Sequence, residues 1–168
     1  MLEFHEDGSS HLTFSPARDT DCEWAFELKK ATEKDYIKAI FGWDEEVQRE
    51  FHAKEWQQEK PTVISLGNIK VGTYLLQRRD YGYYFARFFI LPEYQRRGIG
   101  SRVLSSVTKK LDRERAACRL GYLQSNPRVS ELYKRFGFVI YKEDSAFVYM
   151  RRGHGCDTPE EQLQSHPA

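Results

Sequence analysis

The chain has 168 residues, 40% of them hydrophobic and 14% aromatic, enough to bury one core of ordinary size but not two. Its 26 basic and 25 acidic side chains leave a net charge near +1, which excludes a global field for holding a nucleic acid or an anionic membrane. Three cysteines (Cys22, Cys118 and Cys156) without a C-x-x-C pair, and five histidines without ligand spacing, indicate neither a disulfide framework nor a metal site.

Residues 1–22 are polar and acidic, with no basic run leading into an apolar stretch, and are expected to form a partly irregular extension. With no segment of membrane-spanning length, the expectation is a soluble, cytoplasmic protein with one domain over residues 23–152 and a loose tail over 153–168. Trp24 to Lys29 alternates apolar and polar residues, the strand period, and Thr32-Glu33-Lys34-Asp35 matches a capping box opening a helix. Trp43-Asp44-Glu45-Glu46 leads into a second helix to about Glu55, with Val47 and Phe51 on one face. Thr62 to Leu66, a Gly67-Asn68 turn and Val71 to Leu76 predict a hairpin, and a turn at Arg79-Asp80 leads into a strand from Tyr83 to Ile90.

From Gly98 the period changes. Ile99, Val103, Leu104, Val107 and Leu111 recur at helical spacing, Leu120 to Leu123 reads as a short strand, and Asn126-Pro127 begins a helix that Gly137 ends. Phe138 to Tyr141 and Ala146 to Met150 close the domain as strands. The order βααβββαβαββ predicts an α/β (α+β) fold with one mixed sheet flanked by helices.

The segment Gln95-Arg96-Arg97-Gly98-Ile99-Gly100 is a glycine-containing turn at a helix start. Backbone N–H groups and the helix dipole there suit a pyrophosphate, with Ser101 able to add a hydroxyl and Arg96, Arg97 and Arg102 near enough for outer phosphates. The plainer reading is a tight loop into an amphipathic helix. A dinucleotide fingerprint is excluded because Val103 stands at its third glycine, and no Gly-Lys-Ser/Thr of a phosphate-binding loop is present.

Two motifs together carry a family resemblance. The first is Gln95-x-x-Gly98-x-Gly100 after the apolar run Phe88-Phe89-Ile90-Leu91-Pro92. The second is Asn126-Pro127-x-Val129-x-x-Leu132-Tyr133-x-x-x-Gly137-Phe138. Over roughly residues 24–150 the chain resembles the GNAT N-acetyltransferases, in particular a small stand-alone bacterial type. The resemblance implies a central, mostly antiparallel sheet, acetyl-CoA as co-substrate and a primary amine of a small molecule or peptide as acceptor. It places the pyrophosphate against Gln95, Arg96, Arg97, Gly98, Ile99, Gly100 and Ser101. The pantetheine arm would run along Phe88 to Ile90, with Ile90 before a splay of the sheet, and be held by Asn126. Tyr133 would be the general acid toward the CoA sulfur.

Each residue also has an ordinary role: Tyr133 as a packing aromatic, Asn126 as a helix cap, Phe88 and Ile90 as core. The general base does not carry over, because Tyr83 to Ile90 contains no acid; Asp80 precedes it and Glu93 follows. Asp44 and Glu45 are candidates for base or amine binding, or else a cap and a first-turn charge. Trp43 either walls the acceptor pocket or packs in the core. The missing strand acid leaves open an acyl-CoA sensor without efficient transfer. A nucleic-acid module using Gln95 to Arg102 and Lys109 to Arg119 is opposed by Asp112 and Glu114 on the same helix and by the near-neutral chain. A homodimer through Phe147, Tyr149 and the final strands is a further expectation.

Overall fold

A computed structural model of the chain describes residues 11–153, and Cys156 with most of the expected tail lies outside them. Seven strands form one sheet in the order β1-β2-β3-β4-β5-β7-β6. They are β1 (Leu12–Pro16), β2 (Thr62–Leu66), β3 (Ile69–Arg79), β4 (Gly82–Ile90), β5 (Ala117–Leu123), β6 (Val139–Glu143) and β7 (Phe147–Arg152). Only β4 and β5 run parallel. The helices are α1 (Cys22–Phe41), α2 (Glu45–Gln58), α3 (Ile99–Glu114) and α4 (Val129–Arg135). Among the described residues no helix is long and apolar enough to cross a membrane.

The element order is the expected βααβββαβαββ, but its first two members lie elsewhere. Trp24 to Lys29 is the start of the 20-residue α1, not a strand, and Thr32 is interior to that helix, its hydroxyl donating to Leu28 O at 2.9 Å. The short alternation Trp24-Phe26-Leu28 is a coincidence. Ala25, Phe26, Leu28, Lys29 and Ile37 are the buried positions, a helical face that six residues are too few to reveal. The first strand comes instead from Leu12–Pro16, inside the stretch expected to be irregular; Leu12 and Phe14 pack on the core while Thr13 and Ser15 are exposed.

Helix α3 covers one face of the sheet. Val103, Leu104, Val107 and Leu111 pack against Ile64, Val71, Phe85, Leu120 and Met150, and all are nearly solvent-free. Side chains alternate along β2, so Val63, beside Ile64, points to the opposite face, where it meets Ala17, Ala25 and Trp56 under α1 and α2. Val47 and Phe51, expected as the apolar stripe of α2, stay largely exposed, and His52 and Trp56 are the buried residues of that helix. Tyr149, expected at a dimer surface, is buried; the exposed apolar residues of the last hairpin are Val139, Ile140 and Tyr141 on the edge strand β6.

Gly82 opens β4 at φ +142, where an added Cβ would lie 2.2 Å from the Ala117 carbonyl oxygen. Only glycine lets β4 and β5 meet there. Gly82→Ala is expected to cost about 1–3 kcal/mol in denaturant unfolding, against about 0.5 kcal/mol or less for Ile69→Thr on the exposed hairpin. Equal costs would show that this close approach is unimportant.

Candidate active site

The parallel pair β4–β5 is short. Gly82 to Phe85 pairs with Ala117 to Leu120, and there the pairing stops. Beyond it β4 stays with β3, as Phe89 opposite Thr73 and Ile90 opposite Gly72, while β5 follows β7 as far as Leu123 opposite Phe147. The break coincides with a register slip against β3 and with Arg87 at φ 48, a left-handed backbone whose carbonyl accepts from Thr73 Oγ1 at 2.9 Å. The sheet therefore parts just after Phe85, earlier along β4 than the expected position after Ile90. Between the strands opens a cleft of ≈ 730 Å³ lined by Ala86 to Phe89, Gly121 to Leu123, Asn126 and Tyr133, with α1 and α2 on its far side. The edge of β4 that faces β5 carries unpaired peptide groups there, a place for another extended chain of amides to bond. Tyr84 adds a buried hydroxyl without a partner to the same cleft.

The turn leading to α3 also leaves donors free. Arg96 (φ 61) and Gly98 (φ 79) are both left-handed, and the first bond into the helix runs from Arg102 N to Gly98 O at 3.1 Å. The amides of Ile99, Gly100 and Ser101 thus precede the helical ladder. Arg96, Arg97 and Gly98 are exposed, while Gln95 turns its amide back to donate to Ile90 O at 2.8 Å and ties the turn to the end of β4. The Ile99 side chain is core, so only its backbone is available to a phosphate. Gly100 packs closely, with a Cβ there meeting Leu132, Phe88 and Ile90 within 4 Å. Phe88 and Ile90 do pack on the core, and Phe88 also lines the cleft. These free amides, the unpaired strand edge and the orphan Tyr84 hydroxyl fit a ligand with a phosphate end and an amide-bearing arm.

Asn126 lines the cleft but does not cap α4. A turn closed by Ser130 N to Pro127 O at 3.3 Å intervenes, and the helix starts at Val129, so Pro127 stands before it and not at its first position. Tyr133 comes from α4 and is buried among the rings of Phe85, Tyr122 and Phe138. Burial pushes its phenol pKa up, and the charge of Glu33 is the next contribution in the same direction, so the phenol holds its proton at neutral pH.

Glu33 was not singled out among the sequence candidates. Residues Lys29, Glu33, Ile37 and Phe41, each four apart on α1, all line the cleft. The partly buried Glu33 carboxylate makes no hydrogen bond or ion pair among the described residues, and loss of solvent pushes its pKa up to about 7, with the Lys29 ammonium pulling the other way. Lys29 is only 3% exposed and its Nζ has no hydrogen-bond partner. Behind it Glu55 Oε2 faces Arg87 Nη1 at 3.9 Å, an ion pair too long for a hydrogen bond, while Arg87 Nη2 donates to Glu59 O at 2.8 Å. Burial raises the Glu55 pKa and lowers those of Lys29 and Arg87.

The two acids suggested by sequence are placed differently. Asp44 reaches the cleft, but its Oδ1 accepts from Val47 N at 3.0 Å as the cap of α2. Glu45 turns outside it to Lys30 Nζ and Trp43 Nε1, both at 2.9 Å, and Trp43 is held in that cluster and does not wall the cleft.

Comparison with known proteins places this geometry. The chain is similar in fold to the PaiA N-acetyltransferase of Thermoplasma acidophilum solved with coenzyme A (19% identity, TM-score 0.69, 86% of this chain and 99% of that one). It is similar also to the ribosomal-protein-S18-alanine N-acetyltransferase of Escherichia coli (16%, 0.65, 92% and 100%). A third is YncA of Salmonella typhimurium, solved with its cofactor acetyl-CoA (14%, 0.57, 94% and 98%). No curated protein matches the chain in sequence. The profile of the acetyltransferase (GNAT) domain matches residues 57–140, half of the chain, running from the end of α2 through both motifs to the start of β6, and the protein belongs to the GNAT acetyltransferase family.

Proposed function

We propose that the protein transfers the acetyl group of acetyl-CoA to a primary amine by direct attack within a ternary complex. The observation that carries this reading is the parted sheet with a proton donor and a proton acceptor on one cleft: Tyr133 held neutral, and Glu33 with a carboxylate free of other bonds. Acetyl-CoA supplies the thioester carbonyl. The free amides of Ile99, Gly100 and Ser101 hold its pyrophosphate, with Arg96 and Arg97 beside them, and Asn126 and the unpaired edge of β4 hold the arm in the gap.

Glu33 takes a proton from the acceptor ammonium and leaves nitrogen with its lone pair. The nitrogen forms a bond to the carbonyl carbon, the carbon–sulfur bond breaks, and the Tyr133 hydroxyl protonates the departing sulfur. The second nitrogen proton passes through solvent to restore the phenol, and Glu33 gives its proton to water, which returns both groups to their starting forms. Asp44 lines the cleft as well, but its Oδ1 is engaged as the cap of α2, which leaves Glu33 to receive the amine.

Thiol release by purified protein against a panel of amines tests the activity; tight CoA binding without transfer to any amine would favour an acyl-CoA sensor instead. Tyr133→Phe is expected to lower turnover by about a hundredfold or more with CoA affinity nearly unchanged. For Glu33, activity needs the ionised carboxylate, so kcat/KM rises through pH about 7, and Glu33→Gln removes that rise along with most of the rate. Stability has the opposite sign. The folded pKa of about 7 lies above the ordinary 4.5, so the protonated carboxyl is what the fold favours, fully below pH 4.5, and that contribution is lost as pH rises through 7. Glu33→Gln should therefore gain stability relative to the parent at pH 8 compared with pH 4. A pH-independent difference in denaturation midpoint would remove Glu33 from the role of buried base.

A further inference from the structure

We propose that the acceptor is a small monoamine carried on a bulky apolar or aromatic body, which lies over Phe41, Val47, Phe51 and Phe147 and presents its single ammonium to Glu33. The inference rests on acetyl transfer at this cleft and concerns what receives the acetyl group.

The mouth of the cleft between α1 and α2 is apolar where a surface would ordinarily be polar. Phe41 is 61% exposed, Val47 42% and Phe51 39%, all three line the cleft, and the Phe147 ring lies 6.0 Å from that of Phe41. Apolar area left in water at the rim of a concave site marks what the site covers when filled. At about 25 cal/mol per Å² of area removed from water, one aryl ring is enough to change affinity severalfold.

The hydrogen bonding of the acids favours a ligand with one cation. Among the acids lining the cleft, Asp44 Oδ1 is held by Val47 N, and Asp144 Oδ1 accepts from Ala146 N and Phe147 N at 2.8 and 2.7 Å while its Oδ2 faces Tyr149 Oη at 3.4 Å. Glu33 alone has both oxygens uncommitted among the described residues lining the cleft. Beside it stands the Lys29 cation, the same cleft holds Arg87, with Glu55 already set against both, and Tyr133 contributes a neutral phenol. A second ammonium on the ligand would fall either against these two cations or at the apolar mouth, where the nearby carboxylates, Asp44 and Asp144, already accept backbone N–H bonds. A polyamine or a lysine-rich peptide is the wrong charge pattern.

Titration calorimetry of the full chain saturated with CoA, using 2-phenylethylamine, ethylamine, spermidine and a short lysine peptide as probes, reads the acceptor preference without needing turnover. Phenylethylamine is expected to bind at least about tenfold more tightly than the other three. Phe41→Ser and Phe51→Ser, both at exposed positions, should each weaken phenylethylamine severalfold and leave CoA affinity unchanged. Spermidine or the peptide binding as tightly as phenylethylamine, or both variants binding it like the parent, would overturn the proposal. Thiol release from acetyl-CoA, measured in parallel, separates the two readings. Tight phenylethylamine binding without thiol release would refute the transfer reading alone, and thiol release with spermidine preferred would refute the apolar-acceptor inference alone.

Discussion

The divergence of β4 from β5 is the constraint on which the rest of the molecule depends. Four residue pairs hold the strands together from Gly82 to Phe85, and then the left-handed Arg87 and the slip against β3 turn β4 away. A sheet that parts in its middle exposes peptide groups on one strand edge and must cover the gap from both sides. Here α3 and α4 cover one side and α1 and α2 the other. The groups proposed to move protons reach the gap from opposite sides, Tyr133 from α4 and Glu33 from α1.

The floor of the cleft is built against stability. Lys29, Glu55 and Arg87 carry charge into a region where Lys29 Nζ, Glu55 Oε2 and Arg87 Nη1 lack hydrogen-bond partners. Buried ion pairs of imperfect geometry seldom recover their desolvation cost. What the arrangement supplies is a local field. The Lys29 ammonium favours the ionised form of Glu33 while burial opposes it, and the balance leaves that carboxyl with a pKa of about 7. An apolar floor would make a firmer fold and a carboxyl too weakly acidic to act as a base near pH 7.

Most of this was legible in the sequence because strong local signals agree with the fold. The α3 stripe from Ile99 to Leu111, the hairpin at Gly67-Asn68 and the helix stop at Gly137 each have one physical reading, and the two motifs around Gly98 and Tyr133 lie in the right order. The amino-terminal third was harder. Six alternating residues at Trp24 imitate a strand, and Thr32 to Asp35 imitate a helix start, so Glu33 stands there only as part of a capping-box match. The four-residue spacing of Lys29, Glu33, Ile37 and Phe41 could have shown a carboxylate on an inward face, but only once the whole of α1 was taken as one helix. The Arg87 twist left no trace, because nothing in a local pattern marks an arginine for a left-handed backbone that tertiary bonds impose.

That single helix has a bearing on how selectivity in this protein can change. From Lys29 to Phe41 α1 rises about 18 Å, so it lies as a ruler along the cleft with Glu33 near one end and the exposed Phe41 at the other. Positions 37 and 41 lie one and two turns beyond Glu33. On the proposed assignment, substitutions there reshape the entrance without moving the carboxylate, so one amine can be exchanged for another by single steps while the proton acceptor stays in place.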